Sequence, residues 1–152
     1  VEAVTMMHRI IRQTEQERFY RPGLEALQIN LEATGSDAIS AAAAQTAETV
    51  EAKAIITHTR TGSTAYRAAR ERPTVPILCL TPTLEAARQL CIVWGVHCVH
   101  TAHIVDLRAL VQKTLDVTIK QGFAVKGDRV VITAGVPFGQ VGQTNLLRIA
   151  EV

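Results

Sequence analysis

Ala54-Ile-Ile-Thr-His-Thr-Arg-Thr-Gly-Ser-Thr-Ala-Tyr-Arg-Ala-Ala-Arg70 passes through three kinds of local structure in turn. Ala54 to Ile56 is a short apolar run that opens a strand. Thr57 to Ser63 is a polar turn with one glycine, Gly62. Ser63 onward is helical, with Arg67 and Arg70 three residues apart. A strand, a hydroxyl-rich turn and a helix start, in that order, form an anion site. Free backbone N–H groups and the positive end of the helix dipole then face one spot. Thr59, Thr61, Ser63 and Thr64 add hydroxyl donors, and Arg60 adds a fixed positive charge. The same residues also fit an ordinary βα turn whose hydroxyls only cap the helix. One glycine is fewer than a nucleotide P-loop carries.

Outward from this stretch, strands alternate with helices. Ile77-Leu-Cys-Leu80 is an apolar run typical of a strand buried on both faces. Leu84 to Leu90 is a helix with Gly95 as its C′ glycine, and Val96 to Val99 is a third strand. Ala102 to Gln121 is a long helix ending at Gly122. Arg129 to Ala134 is a fourth strand, and Asn145 to Ala150 a fifth. This alternation predicts a mostly parallel sheet with helices on both faces. Upstream, Gly35-Ser-Asp37 caps an alanine-rich helix over 38–50. Its small surface predicts tight packing on the sheet, with a subunit contact as the alternative. Glu2 to Phe19 reads as an amphipathic helix with Val4, Met7, Ile10 and Ile11 on one face. Arg21-Pro-Gly23 breaks it, and 24–34 is a linker. The chain starts at Val1, not Met, as a fragment or a processed product would.

The length of 152 residues suits one main domain. A net charge of +2 is too small to argue for nucleic acid or an anionic membrane. No apolar run reaches the length of a membrane span. Cys79, Cys91 and Cys98 form no CxxC pair and read as free thiols of a reducing compartment, so the cytoplasm is expected.

A second loop stands out: Gly135-Val-Pro-Phe-Gly-Gln-Val-Gly142, with Gly135, Gly139 and Gly142 separated by Val136, Pro137 and Phe138. It lacks a Walker lysine and no helix follows it. A loop of this length at a strand end more often serves binding than a tight connection does. His97, His100 and His103 recur every third residue, but they run from a strand through a turn into a helix. Surface and core roles fit them better than a metal site. No set of residues reads as an active site for bond making, so no catalytic and no metal residues are assigned.

Several of these pieces together resemble the C-terminal domain of pyruvate kinase. The pieces are Ala54 to Pro76 with Ile77-Leu-Cys-Leu-Thr81, Lys126-Gly-Asp-Arg-Val-Val-Ile-Thr-Ala-Gly135, and Gly142-Gln-Thr-Asn145. Val1 to Ile10 looks like the last helix of that family's catalytic barrel. The resemblance implies a three-layer α/β/α fold with a five-stranded sheet of order 3-2-1-4-5, strand five antiparallel. It divides the chain into 1–34, barrel helix plus linker, and 35–152, the α/β domain. It implies a phosphorylated allosteric effector held by Thr59, Arg60, Thr61, Gly62, Ser63 and Thr64. The loop Gly135, Val136, Pro137, Phe138, Gly139 and Gly142 would lie beside it, at the crevice where the strand order reverses. Members activated by a sugar bisphosphate carry Lys, or a similar base, where Arg60 stands, and some carry a further Arg where Ser63 stands. They also use an arginine on the long helix, and the spacing from Arg108 to Lys126 departs from theirs. A sugar monophosphate or AMP fits the remaining donors as well as a bisphosphate or better. The implied parent enzyme passes a phosphoryl group from phosphoenolpyruvate to ADP in glycolysis, using Mg²⁺ and K⁺ in its barrel. This chain would need no cofactor of its own and would pack with its barrel in a homotetramer. The alternative is a purely structural interface module without an effector.

Overall fold

Strand β1, Ile55–His58, lies at the centre of a five-stranded sheet. The order is β3-β2-β1-β4-β5, where β2 is Ile77–Thr81, β3 Val96–His100, β4 Arg129–Ala134 and β5 Leu146–Glu151. β1 pairs in parallel with both β2 and β4, and β2 in parallel with β3. β5 runs antiparallel to β4, from Arg129 opposite Glu151 to Ala134 opposite Leu146. The computed structural model describes residues 1–26, 32–104, 106–138 and 143–152. The chain divides into two compact units, Val1–Asn30 and Leu31–Val152.

The sheet belongs to the second unit, and its strands send alternate residues to opposite faces. Ile56, Leu78, Leu80, Val130 and Ile132 pack with Leu110 and Val117 of helix α6, Leu107–Lys120. On the other face Ile55 and Val131 pack with Ala43 and Ala47 of helix α3, Gly35–Thr49. Beside them Ala65, Ala68 and Ala69 of helix α4, Ser63–Arg70, meet Ile77 and Cys79. Leu90 of helix α5, Leu84–Leu90, completes that side. The result is the expected layered α/β architecture. The alanines of α3 explain themselves here: Ala43 and Ala47 are 1% exposed, so the helix backbone lies close over β1 and β4. All five residues of β2 are buried, as expected of a parallel strand covered on both faces.

Helix boundaries shift from the sequence reading for local reasons. α6 begins at Leu107, not Ala102, because Asp106 caps it by accepting a hydrogen bond from Ala109 N–H at 2.8 Å. α3 begins at Gly35, since Thr34 is its cap and accepts from Asp37 N–H at 3.2 Å. Gly95 lies beyond the end of α5 and turns the chain into β3 with φ +70°.

The first unit holds helices α1, Glu2–Glu15, and α2, Tyr20–Ala26. The predicted break at Arg21-Pro-Gly23 is instead part of α2. Pro22 occupies its first turn, where a missing N–H costs nothing and the fixed φ suits a helix. The break falls at 16–19. Val4, Met7, Ile10 and Ile11 of α1 are all exposed. Among the described residues no helix is long and apolar enough to cross a membrane.

Candidate functional site

The order 3-2-1-4-5 makes the chain leave β1 and β4 in opposite directions. A crevice therefore opens between their carboxyl ends. A cleft with a cavity volume of about 90 Å³ sits there. Thr59, Arg60, Thr61, Ser63 and Thr64 form one wall, after β1. Gly135, Phe138 and Gln143 come from the loop after β4, so the two loops singled out in the sequence meet. A third segment, Thr101 to Ile104 after β3, closes the rim.

The turn after β1 is built to leave donors free. Thr59 N–H is tied to Leu80 O at 3.2 Å, which continues the strand ladder by one step. Thr59 Oγ1 then accepts from Gly62 N–H at 3.0 Å, and Gly62 takes φ +91° as the cap residue of α4. A side chain at Gly62 would be strained by that φ and would press on Leu90 Cδ2 at 3.3 Å. The first intrahelical bond is Tyr66 N–H to Gly62 O at 3.0 Å. The N–H groups of Ser63, Thr64 and Ala65 thus have no partner among the described residues, as at any helix start. Thr61 Oγ1 donates to Ser63 Oγ at 3.3 Å, leaving the Ser63 hydroxyl proton for a ligand. Arg60 is exposed and has no ion pair among the described residues.

Not every predicted donor faces the cleft in the same way. The Thr64 hydroxyl is buried against Thr144 Oγ1 at 2.8 Å, and Thr144 N–H donates to Ser36 Oγ at 2.9 Å. That chain of bonds ties α4, the loop before β5 and α3 together, so Thr64 offers its N–H rather than its hydroxyl. Gly62 shapes the turn without lining the cleft. Val136 and Pro137 also stay out of the lining. Val136 is clamped from both sides by Asn145, whose Oδ1 accepts from Val136 N–H at 2.8 Å and whose Nδ2 donates to Val136 O. Gly135 is required, because a Cβ there would collide with the Gln143 carbonyl. Gly139 and Gly142 lie outside the described residues.

The other basic residues of the opening stretch have a different task. Arg67 Nε and Arg70 Nη2 reach Asp37 Oδ1 at 2.9 and 3.0 Å, pinning α4 to the start of α3. Asp37 is buried, and its Oδ2 accepts from Glu32 N–H at 2.7 Å. The Arg70 guanidinium holds its carboxyl below the usual carboxylate range. Arg108 is exposed and does not line the cleft; Leu110, two residues on, does.

Sequence reasoning passed over His58. It ends β1 on the α6 side, and its Nε2 lies 2.7 Å from Thr114 Oγ1. Burial without a charged partner pushes its pKa down to about 4, so the imidazole is neutral near pH 7. The strand alternation carried the signal. Ile56 faces the α6 side, so His58 does too, at the strand end where ligands bind. The three spaced histidines separate: His97 meets Gln121 Oε1 at 3.1 Å, His100 meets Pro82 O at 3.1 Å, and His103 lies at the cleft.

Residues 37–150 match the family described as pyruvate kinase, alpha/beta domain. A pyruvate kinase of Methylorubrum extorquens is 43% identical over 152 residues, covering 100% of this chain and 32% of that protein. A pyruvate kinase of Geobacillus stearothermophilus is 37% identical over 149 residues, covering 98% of this chain and 25% of that protein. A crystal structure of a pyruvate kinase from Cryptosporidium parvum superposes with a TM-score of 0.77 at 27% identity, over 91% of this chain and 27% of that one. The chain thus spans about a third or less of the length of these relatives. With the sheet order, the crevice and these matches in agreement, the chain belongs to the family of pyruvate kinase C-terminal α/β domains.

Proposed function

We propose that this chain is the regulatory part of a larger pyruvate kinase and binds a phosphorylated metabolite in the cleft between β1 and β4. One observation carries the reading. The start of α4 presents to the same cavity the Ser63 and Thr64 N–H groups and the Arg60 side chain, none of them partnered among the described residues, together with the Ser63 hydroxyl. A phosphate monoester supplies acceptor oxygens and negative charge for all of them. The parent enzyme would transfer a phosphoryl group from phosphoenolpyruvate to ADP in cytoplasmic glycolysis, with Mg²⁺ and K⁺ held in its barrel. Calorimetry with AMP, glucose 6-phosphate, ribose 5-phosphate and fructose 1,6-bisphosphate tests the effector. Saturable binding of a monophosphate, weakened at least about tenfold by Arg60→Ala, is expected from loss of a charge-assisted contact. Binding of none of the four would remove the effector reading.

A second reading rests on β5. Among the described residues it pairs only with β4, and Ile149 on it is 47% exposed. An edge strand of this kind pairs across a two-fold axis when it forms an interface. A purely structural module of the tetramer would show concentration-dependent association in sedimentation without any ligand binding.

A further inference from the structure

The two walls of the cleft differ in kind. The α4 wall holds Arg60, the hydroxyls and the free N–H groups. On the α6 wall, Leu80, Leu110 and Ala134 are apolar and His58 is the polar group set among them, with Thr101 and His103 at the rim. Among the described residues no lysine or arginine lines the cleft on that side. Thr114 Oγ1 donates its proton to Leu110 O at 2.7 Å. A hydroxyl has one proton, so toward His58 it can only accept. His58 Nε2 therefore carries the hydrogen, and in the neutral ring Nδ1 is left with a lone pair. Nδ1 has no partner among the described residues and is not among the sealed, unpartnered buried atoms. It is the ring nitrogen open to the cleft.

We propose that His58, fixed as the Nε2–H tautomer by Thr114, reads the non-phosphate end of the ligand through its Nδ1 lone pair. The cleft thereby takes a monophosphate whose body carries hydroxyl or N–H donors and turns away one with a second anionic group. The proposal deepens the phosphate reading and rests on it. A hydroxyl donates to Nδ1 and satisfies it. A second phosphate would set its oxygens against that lone pair on a wall with no fixed positive charge, after losing its water. Thr114 acts as a positioning residue, because it chooses which nitrogen faces the ligand.

Imidazole ¹⁵N NMR of the full chain at pH 7 tests the first half without any variant. A neutral ring with hydrogen on Nε2 is expected. Hydrogen on Nδ1, or a cationic ring, would overturn it. Thr114→Val should release the tautomer preference and Thr114→Ser should restore it. The same mixture in both variants would count against the lock. The second half is read by calorimetry with inorganic phosphate, ribose 5-phosphate and fructose 1,6-bisphosphate. Ribose 5-phosphate should bind about tenfold tighter than either other ligand, the scale of one well-made hydrogen bond. His58→Leu should erase that margin while leaving inorganic phosphate unchanged. An unaltered margin in His58→Leu, or tighter bisphosphate binding by the unmodified chain, defeats the proposal and leaves the phosphate site standing. No binding of any of the three defeats both.

Discussion

The two ends of α4 treat buried polarity in opposite ways. At its C-terminal end, Asp37 is buried but meets Arg67, Arg70 and the Glu32 N–H, so it stays ionised. At its N-terminal end, the half-buried His58 meets one neutral hydroxyl and no opposite charge, so it stays uncharged. Burial disfavours charge in both places, and only the presence of opposite charge decides the outcome. Arg60 is exposed and has no ion-pair partner among the described residues, so its charge is open to solvent. One short stretch thus carries a structural clamp and an open site. The comparison separates them by what each charge already touches.

The clamp should give the largest effect when broken. Asp37→Ala leaves Arg67 and Arg70 without their shared carboxylate and takes away the acceptor of the Glu32 N–H. Its drop in Tm is expected to exceed that of the other substitutions considered below. Because the folded carboxyl titrates below its ordinary 3.8, the clamp is fully effective above that pH. It is lost as pH falls through the folded value. Denaturation curves from pH 6 to pH 2 should show this acid loss in the parent chain and not in Asp37→Asn.

His58 should supply an earlier and separate step. The unfolded ring takes up a proton near 6.5, while the folded one resists until about 4. Between these values the unfolded state binds more protons, so stability falls as pH falls. The gap corresponds to about 3 kcal/mol at its full extent. Urea unfolding at pH 7, 5.5 and 4.5 reads it, and His58→Leu should flatten the profile over that window. A profile equally steep in the variant would mean that other groups carry the titration.

The sheet was legible because its evidence is local. Ile77 to Leu80 is an unbroken apolar run, and Ala41 to Ala44 makes a helix too small to stand away from a strand. The two loops that line the cleft were legible from glycines and hydroxyls at strand ends. What escaped depends on distant neighbours. The hydrogen-bond partner of His58 is Thr114, 56 residues away. The Thr64 hydroxyl, counted among the phosphate donors, is taken by Thr144, 80 residues away. The task of Arg67 and Arg70 shows only once Asp37, at least 30 residues upstream, is placed beside them. Pro22 misled in the other direction. A proline reads as a break, yet the first turn of a helix accommodates it.

The smallest change in stability, and the sharpest separation of the two ends, comes from a pair of arginine substitutions. Arg60→Ala removes an exposed side chain with no ion pair among the described residues, so its unfolding free energy should stay within about 0.5 kcal/mol of the parent. Its affinity for a phosphate monoester should nevertheless fall about tenfold or more. Arg67→Ala should do the reverse. It withdraws one cation from buried Asp37 and lowers Tm, while the free N–H groups of Ser63, Thr64 and Ala65 stay where they are and binding persists. Thermal unfolding and calorimetry on the same two variants give four readings. If Arg67→Ala abolished binding as fully as Arg60→Ala, the helix start would depend on the clamp to hold its donors in place. The two ends of α4 would then act as one unit rather than as separate devices.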